Sequence, residues 1–333
     1  MSHLVEFSDI DTDIFCTNQA SGGSGGSKKE FVKLDKGAVM TKIQAWKEGW
    51  RFHGVKMWMS DGTAQLFGSQ DGDTSSFSLS NGEMLRDLYI QASGEKSSGG
   101  YYRLGGISFR TTKGREWGFF AKNLKEDGKY FYDMPNSGIV CGMFGRCGSD
   151  VDCLGFAILN PIEKARLVDV TYPNLGMVQV ANTPIVVATS EYRNGTSVEQ
   201  SYTMSESRTV TTECTWSVTT GLEMTLTVNV SAGVPMVAEV DTGASWTVNG
   251  ESQHSRSEII TKEQSWSWPV VCPPHTEIRA TGSMFQDNID TEYEGKVHID
   301  LKNGHDYEYN VKGIYEGLNV RQNDLEVVEL GPA

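Results

Sequence analysis

The sequence has few positive charges, and this shortage excludes two classes of function. Its 333 residues include 29 Lys and Arg against 43 Asp and Glu, which gives a formal net charge of −14. Proteins that bind nucleic acid neutralise phosphates with clustered cations. Simple electrostatic docking on anionic lipid needs a basic surface for the same reason. We therefore expect no nucleic-acid partner and no attachment to membranes by charge alone.

Long apolar runs are also lacking. No stretch reaches the roughly 20 apolar residues that a membrane-spanning helix needs. The first residues, MSHLVEFSDIDTDIFC, have no basic start, no apolar centre and no small-residue cleavage site. We expect a soluble protein without a signal peptide, made in the cytoplasm and released by a non-classical route before it reaches a target membrane.

Catalytic and metal-binding motifs are scarce as well. HExxH and CxxC do not occur, and no histidine is placed by sequence near an acid and a serine in a recognisable order. The cysteines are too openly spaced for a zinc ribbon and have no clustered histidine partner. They are Cys16, Cys141, Cys147, Cys153, Cys214 and Cys272. We expect no enzymatic activity, no metal and no cofactor.

A glycine-rich stretch, Gly22–Gly26 or GGSGG, invites several interpretations. A phosphate-binding loop is excluded because Ser27 and Lys29 stand where glycine and Ser or Thr are needed. A nucleophile elbow at Ser24 lacks the helix, acid and histidine that it requires. A flexible linker remains open, but a strand-like segment follows at once. A second glycine loop, GRCGSDVDCLGF, carries carboxylates, and glycine amides facing carboxylates suit a polyol ligand.

The remaining pattern predicts an all-β protein whose style changes near Asn160. Before that residue, short alternating segments such as KIQAWKEGW and LGGISFRTTKG end at glycine. This is typical of a sandwich, barrel or prism. After it, SYTMSESRTVTTECTWSVTTGLEMTLTVNV predicts long strands with little to bury on either face.

A further segment, residues 228–250, alternates apolar and polar residues on both sides of the turn DTG. A hairpin with one apolar face could meet lipid on that face and water on the other. An ordinary half-buried hairpin has the same pattern, and alternation alone favours it. The apolar set is Val228, Val230, Ala232, Val234, Met236, Ala238 and Val240, followed by Ala244, Trp246 and Val248.

Two cysteines are placed symmetrically about this turn. Cys214 and Cys272 each lie 29 positions from Gly243. If one long hairpin turns near Gly243, the two thiols face each other and could form a disulfide. The pairing Cys214–Cys272 is therefore a hypothesis about the base of the hairpin.

The first half of the chain resembles a jacalin-like lectin domain, a β-prism of three four-stranded sheets. The resemblance covers roughly residues 20–159 and is carried by GGSGG, by KIQAWKEGWRFHGVKMWMSDG followed by LFG, by LGGISFRTTKG and by GRCGSDVDCLGF. The last piece contains the sugar motif G-x-x-x-D from Gly148 to Asp152. The acidic extension before it, residues 1–19, has no counterpart in the resemblance and no assigned function.

Residues 160–333 resemble the aerolysin-type pore-forming module. The pieces are VNVSAGVPMVAEVDTGASWTVNGESQHS, VVCPPHTEIRA and YNVKGIYEGL. A lectin domain followed by this module is similar to the natterin-like proteins of fishes. The resemblance implies an elongated β module with a pre-stem hairpin, here residues 228–250. Several subunits would each donate that hairpin to a membrane barrel, with the polar tip at Asp241–Gly243 crossing the bilayer.

The resemblance also implies the roles of the sugar site. The N–H of Gly26 would donate to a hexose, Asp152 would accept from two hydroxyls, and the amides of Asp150 and Val151 would complete the pocket. Gly25 and Ser149 belong to the same two loops. An Asx-turn is the alternative explanation of the two aspartates. Tyr101 and Tyr102 either line the site or are sheet residues.

The expected function is thus a glycan-targeted pore-forming protein with cell-surface glycans, a lipid membrane and further copies of itself as partners. Mannose-type or complex glycans are the ligands that the lectin resemblance implies. The alternative is a lectin whose β-rich half is a non-inserting oligomerisation stalk. A fall in pH is a hypothetical trigger, since the 43 acidic residues would repel less between subunits.

Overall fold

The computed structural model describes residues 3–94, 103–133, 135–181, 183–218, 221–222, 225–240, 243–323 and 325–333. The chain forms two compact units. The first comprises Met1–Leu167, Val218–Val228 and Lys296–Val311; the second comprises Val168–Ser217, Asn229–Gly295 and Lys312–Ala333. Among the described residues, no helix is long and apolar enough to cross a membrane.

Short strands separated by tight turns build the first part of the chain. They are β1 (Leu4–Glu6), β2 (Gln19–Gly22), β3 (Ser27–Val32), β4 (Met40–Glu48), β5 (Arg51–Met59), β6 (Ala64–Gly68), β7 (Asp73–Ser78), β8 (Leu85–Ser93), β9 (Arg103–Thr111), β10 (Glu116–Phe120), β11 (Leu124–Phe131), β12 (Val140–Cys147) and β13 (Val151–Ile158). A 3-10 turn, Leu34–Lys36, follows β3.

These strands form three antiparallel sheets, in the orders β1-β2-β13-β12-β3, β6-β5-β4-β7 and β10-β9-β8-β11. Alternating apolar side chains of all three sheets meet in one core, which includes Ile43, Phe52, Ile107 and Phe156. Burial of these side chains is the main stabilising contribution. The β-prism expectation is confirmed, with one difference in strand number.

The difference lies in the acidic N-terminal extension. Its strand β1 pairs with β2, placing Leu4 opposite Ser21, so the first sheet has five strands among the described residues. Phe7 is buried and its ring lies 5.2 Å from that of Phe144. The Cys16 N–H donates to the Ile158 carbonyl at 2.9 Å. The extension is therefore packed onto the prism.

The rest of the chain combines long strands with a few short ones, from 4 to 26 residues. They are β14 (Ile162–Thr171), β15 (Ile185–Asn194), β16 (Gln200–Val218), β17 (Asn229–Ala232), β18 (Pro235–Val240), β19 (Gly243–Val248), β20 (Ser252–Ser255), β21 (Ser257–Cys272), β22 (Thr276–Leu301), β23 (Asp306–Gln322) and β24 (Glu326–Pro332). A 3-10 turn, Leu175–Met177, follows β14. Among the described residues they form a sheet in the order β20-β17-β14-β22-β23-β16-β21, with β15 and β24 also on β22, and a separate pair β18-β19.

The long strands bury more than their composition suggests. In β21, Trp266, Trp268 and Val270 are almost fully buried, whereas the neighbouring Val271 is 45% exposed. The buried side chains form the core of the second unit together with Met204 of β16. Tryptophan supplies a large buried area from few positions, which is why a sequence rich in Ser and Thr still builds a core there.

The predicted Cys214–Cys272 disulfide is wrong, because the structure leaves both cysteines unpaired. In the β16–β21 ladder, Cys214 lies opposite Glu258 and Cys272 lies opposite Gln200. Counting from Gly243 fails because the two arms of the hairpin are unequal. Residues 219–228 separate β16 from β17, but only Arg256 separates β20 from β21.

Candidate functional site

Two loops of the first unit meet at the expected sugar site. Residues 23–26 connect β2 to β3, and residues 148–150 connect β12 to β13. Because β13 pairs with β2 on one side and β12 on the other, the two loops leave the same sheet as neighbours. The Gly23 N–H donates to the Asp152 carbonyl at 2.8 Å, which joins them directly.

Glycine is required where the loops touch. Gly26 has a φ of +64°, and a Cβ there would lie 2.5 Å from Asp152 Oδ2 and 2.7 Å from the Cys147 carbonyl carbon. A Cβ on Gly25 would overlap Asp152 Oδ1. The Asp152 carboxylate thus packs directly against main chain, an approach that only glycine permits.

The Asp152 carboxylate is nearly inaccessible and carries an ion pair. Its side chain is 5% exposed, and Arg103 Nη1 donates to Oδ1 at 2.6 Å. Burial raises the pKa of Asp152, and the Arg103 guanidinium opposes that shift. Arg103 opens β9, so the pair joins two different sheets of the prism.

Asp150 is contacted by two arginines and a histidine. Its Oδ1 lies 2.8 Å from His53 Nδ1, and its Oδ2 lies 3.0 Å from Arg51 Nε and 3.6 Å from Arg103 Nε. The Asp150 carbonyl accepts from the Gly148 N–H at 3.0 Å, which closes the loop. Among the described contacts, neither aspartate side chain accepts from the backbone N–H two residues further on, so the Asx-turn that was the alternative is not seen there.

Arg146 ties down the glycine loop. Its Nε donates to the Gly25 carbonyl at 2.9 Å and its Nη2 to the Gly26 carbonyl at 2.7 Å. These bonds fix the peptide planes of the loop, so the Gly26 amide is presented in a defined orientation.

The sequence-derived site is assembled in part. Gly25, Gly26, Asp150 and Asp152 come together, and Ser149 is exposed at the tip of its loop. The side chain of Val151 is buried in the prism core, so only its main chain remains for a ligand. Tyr101 and Tyr102 lie outside the described residues.

Sequence reasoning missed four basic side chains of the site, Arg51, His53, Arg103 and Arg146. Arg51 and His53 lie in β5 beside a register shift in its pairing with β4, where Trp46 opposes Gly54 and Lys47 opposes Phe52, so alternation alone does not predict that both reach Asp150. Arg103 is 49 positions from Asp152 and no local motif announces it. The described residues contain no cluster of His, Cys, Asp and Glu that could hold a metal ion.

The membrane-hairpin candidate divides into two ladders in the second unit. In the first, β17 pairs with β20 and Val230 lies opposite His254. In the second, β18 pairs with β19 and Val237 lies opposite Trp246. Val228 precedes both ladders, is buried and belongs to the first unit. Asp241 and Thr242 of the expected tip lie outside the described residues.

The predicted single apolar face is absent from this register. Opposed residues of a ladder point to the same side, so Trp246 shares a face with Val237. Both are 8% exposed. Met236 lies opposite Thr247 on the other face and is 39% exposed. The remaining members divide likewise: Ala238 and Val240 are in register with Ser245 and Gly243, whereas Ala244 and Val248 are in register with Glu239 and Pro235.

The covered face of the hairpin packs inside the second unit. The Trp246 indole Nε1–H donates to the Gln179 carbonyl at 3.5 Å. Trp246 and Ala244 line a shared concavity with Leu175 and Val178. At the other end, the ring of His254 stacks on Trp216 at 5.3 Å, and His254 Nδ1 lies 2.8 Å from Glu258 Oε2.

Comparison with known proteins matches two families to successive parts of the chain. Residues 18–157 match the Jacalin-like lectin domain, and residues 170–321 match the family described as Clostridium epsilon toxin ETX/Bacillus mosquitocidal toxin MTX2. The crystal structure of lamprey immune protein is 32% identical, with a TM-score of 0.83 over 92% of this chain and 96% of that chain. No curated protein matches the chain.

Plant lectins also superpose on part of the chain. A mannose binding jacalin related lectin from Ananas comosus is 16% identical, covering 48% of this chain and 99% of that chain with a TM-score of 0.35. The wild-type Malaysian banana lectin is 18% identical, covering 42% and 95% with a TM-score of 0.34.

Proposed function

The chain belongs to the natterin-like family of aerolysin-type proteins with an N-terminal jacalin-like lectin domain, and we propose on that basis that it binds cell-surface glycans and then inserts a pore. The lectin half concentrates the protein on a glycosylated membrane, and many weak sites on one oligomer add avidity. The proposal includes no catalytic step and no cofactor. It includes release by a non-classical route, and the similarity to a lamprey immune protein supports a role in innate immunity.

The sugar site is proposed at Asp152 and Gly26. It is supported by a buried carboxylate packed against glycine main chain, with the loop amides held in place by Arg146. The Asp152→Asn variant keeps the shape of the side chain but removes its charge. We expect glycan-array binding to fall by about ten-fold or more, because hydrogen bonds to a charged group are the strong ones. An Asp87→Asn variant, altered at an exposed aspartate of the same unit, is the control.

Membrane insertion is proposed for the β18–β19 hairpin. The observation that carries it is that these two apolar strands form a sheet of their own, apart from the long sheet of the second unit. A barrel built from many such hairpins has no open edge. Each subunit would contribute one hairpin to a ring of identical copies.

The insertion test compares two exposed apolar positions. Met236 lies in the hairpin and is 39% exposed, while Val271 lies in β21 and is 45% exposed. A lysine on a lipid-facing strand costs about 2–4 kcal/mol at the bilayer midplane. We expect Met236→Lys to abolish dye leakage from glycolipid vesicles and Val271→Lys to preserve it. Equal leakage in both variants would reject β18–β19 as the inserting hairpin. Binding by the native protein with no conductance in planar bilayers supports the stalk alternative.

A fall in pH is the proposed trigger. Protonation of carboxylates lowers the repulsion between copies of a chain whose net charge is −14. Leakage should therefore rise between neutral and mildly acidic pH on vesicles that bind equal amounts of protein. Leakage that is the same at both pH values rejects this trigger and leaves the pore proposal standing.

A further inference from the structure

The carboxylate that would receive the sugar already has a partner. Arg103 Nη1 lies 2.6 Å from Asp152 Oδ1, and Asp152 is 5% exposed at its side chain. The Arg103 side chain is 30% exposed, so Arg103 is the member of this pair that solvent and ligands can reach. A ligand that approaches Asp152 therefore meets Arg103 at the same time.

A neutral hexose gains little from this arrangement. To hydrogen-bond both Asp152 oxygens, its hydroxyls must displace a charge-assisted bond from Arg103. The displaced guanidinium then loses this close acceptor and keeps the longer contact of its Nε with Asp150 Oδ2 at 3.6 Å, a weaker pairing that is unfavourable for a partly buried charge. A ligand that offers an anionic group to Arg103 and a hydroxyl to Asp152 replaces both halves of the ion pair.

The neighbouring charges favour the same class of ligand. Arg51 and Arg146 place two further guanidiniums beside the loops, facing the carboxylates of Asp150 and Asp152. Besides Asp150 and Asp152, Glu48 is a nearby acid, with Oε2 3.6 Å from His53 Nε2, but its side chain is 78% exposed and screened by water. The site is thus rich in donors on a chain that is strongly acidic elsewhere.

We propose that Arg103 sets the specificity of this site for glycans that carry a carboxylate or sulfate group beside the hydroxyls. The inference rests on the proposed sugar site and narrows its ligand class. On binding, the anionic group of the sugar pairs with Arg103, and a sugar hydroxyl donates to Asp152. No covalent bond changes, so the exchange is reversible.

The test uses sugars that differ at one carbon. Methyl α-D-glucopyranoside, its 6-carboxylate (methyl glucuronide) and its 6-sulfate share ring and hydroxyl geometry, and calorimetric titration gives each affinity. We expect the native protein to prefer an anionic sugar by about ten-fold, the size expected for one charge-assisted bond. Comparison of the carboxylate with the sulfate identifies which anion fits. The preference should shrink in added salt.

Substitutions then assign the preference to Arg103. Arg103→Gln should remove the preference while retaining or improving binding of the neutral glucoside, and Arg103→Lys should keep part of it. Arg110→Gln is the matched control, since Arg110 lies on the same strand, is 57% exposed and pairs with Asp87 at 2.9 Å. Melting temperatures report any loss of folding, which changes all affinities together and leaves their ratio unchanged.

The outcomes distinguish failure of the specificity role of Arg103 from failure of the sugar site at Asp152. A native protein that prefers the neutral glucoside, or an Arg103→Gln variant that keeps the anionic preference, overturns the role of Arg103. If Asp152→Asn lowers the binding of all three sugars by about ten-fold or more in that case, the sugar site itself stands. If binding survives Asp152→Asn unchanged, both the site and the inference fail.

Discussion

A glycine can be required for its backbone angle or for the space it leaves, and Gly26 is required for both. Its φ of +64° is one that side chains rarely adopt, and a Cβ would lie 2.7 Å from the Cys147 carbonyl carbon. Gly62 has a φ of +83° but nothing within 4 Å of its Cβ position. The two positions separate the cost of the angle from the cost of the contact.

Alanine at Gly62 should therefore destabilise the first unit by about 1 kcal/mol, the cost of the left-handed angle. Alanine at Gly26 should destabilise it by about 2 kcal/mol or more, because Asp152 and Cys147 must also move. Urea unfolding of the two variants measures the difference. Equal losses would show that the loop yields without strain, and would make Gly26→Ala a clean probe of binding.

Glu83 is a second buried carboxylate that connects segments of the prism. Its side chain is inaccessible, and it accepts from Arg115 Nε at 2.9 Å, from the Ser80 N–H at 2.9 Å and from the Thr111 hydroxyl. The Arg115 guanidinium, followed by the Ser80 and Thr111 bonds, holds the pKa of Glu83 well below its ordinary value of 4.5. A lowered pKa in the folded state stabilises the protein above that ordinary value.

The lowered pKa of Glu83 determines how the stability of the protein depends on pH. Glu83→Gln should cost about 1–2 kcal/mol at pH 7, from the loss of charge-assisted bonds. The difference between native and variant should stay constant down to about pH 4.5, the unfolded pKa, and shrink as the pH falls further. Urea midpoints at pH 7, 5, 4 and 3 measure it. A difference that shrinks already between pH 7 and 5 would contradict the assignment to Glu83.

At the scale of elements, the hairpin holds a mismatch of one residue. In the β17–β20 ladder the numbers of two opposed residues add to 484, as for Val230 and His254. In the β18–β19 ladder they add to 483, as for Val237 and Trp246, so the two ladders are out of register by one residue. Residues 233–234 on one side face residues 249–251 on the other. If β18–β19 took the register of its neighbour, Met236 would lie opposite Val248 and Ala238 opposite Trp246. These four apolar residues would then lie on one face of the hairpin.

We therefore predict that insertion slides β18 by one residue against β19. Cysteines at Met236 and Thr247 are opposed in the resting register, so their cross-link should form in solution and block leakage until it is reduced. Cysteines at Met236 and Val248 should cross-link only on membranes. Peptide mapping identifies each bond, and the single Met236→Cys variant accounts for the native thiols. A Met236–Val248 bond that is no more frequent on vesicles than in solution rejects the slide.

This element also shows what alternation can and cannot predict. Alternating residues located the strands and their turn, because side-chain period is a local property of a strand. Register is set by whatever each strand packs against. The extra residues 219–228, which misplaced the Cys214–Cys272 pair, have no effect on alternation. The one-residue difference in register that places Met236 and Trp246 on opposite faces of the hairpin also cannot be predicted from the sequence.

At the scale of the whole molecule, the lectin and toxin halves were predictable because their loops and hairpin carry recognisable motifs. The all-β class followed from composition and period. The partners of Asp150 and Asp152 were not predictable, since Arg51 and Arg103 reach them only when three sheets close around one core. A motif predicts the acceptors of a site, whereas the fold decides which donors already occupy them.

Separate cores in the two units predict separable defects. The prism core and the core around Trp266 and Trp268 contain no common residue. Asp152→Asn should therefore lower leakage only by reducing the amount of protein bound, and excess protein should restore it. Met236→Lys should bind normally and fail to leak at any concentration. Co-sedimentation with glycolipid vesicles and dye release, measured on the same samples, separate the two defects.

Mixing the insertion variant with native protein tests whether the pore is an oligomer. Suppose that every subunit of a ring must insert its hairpin. In an equal mixture, the fraction of rings made only of native subunits is then one half multiplied by itself once for each subunit, which is small for any ring. Leakage from a mixture of native protein and Met236→Lys should therefore fall far below half. The Val271→Lys variant, mixed in the same proportion, should leave leakage unchanged. A fall to one half, in proportion to the native protein present, would mean that each copy permeabilises the membrane alone.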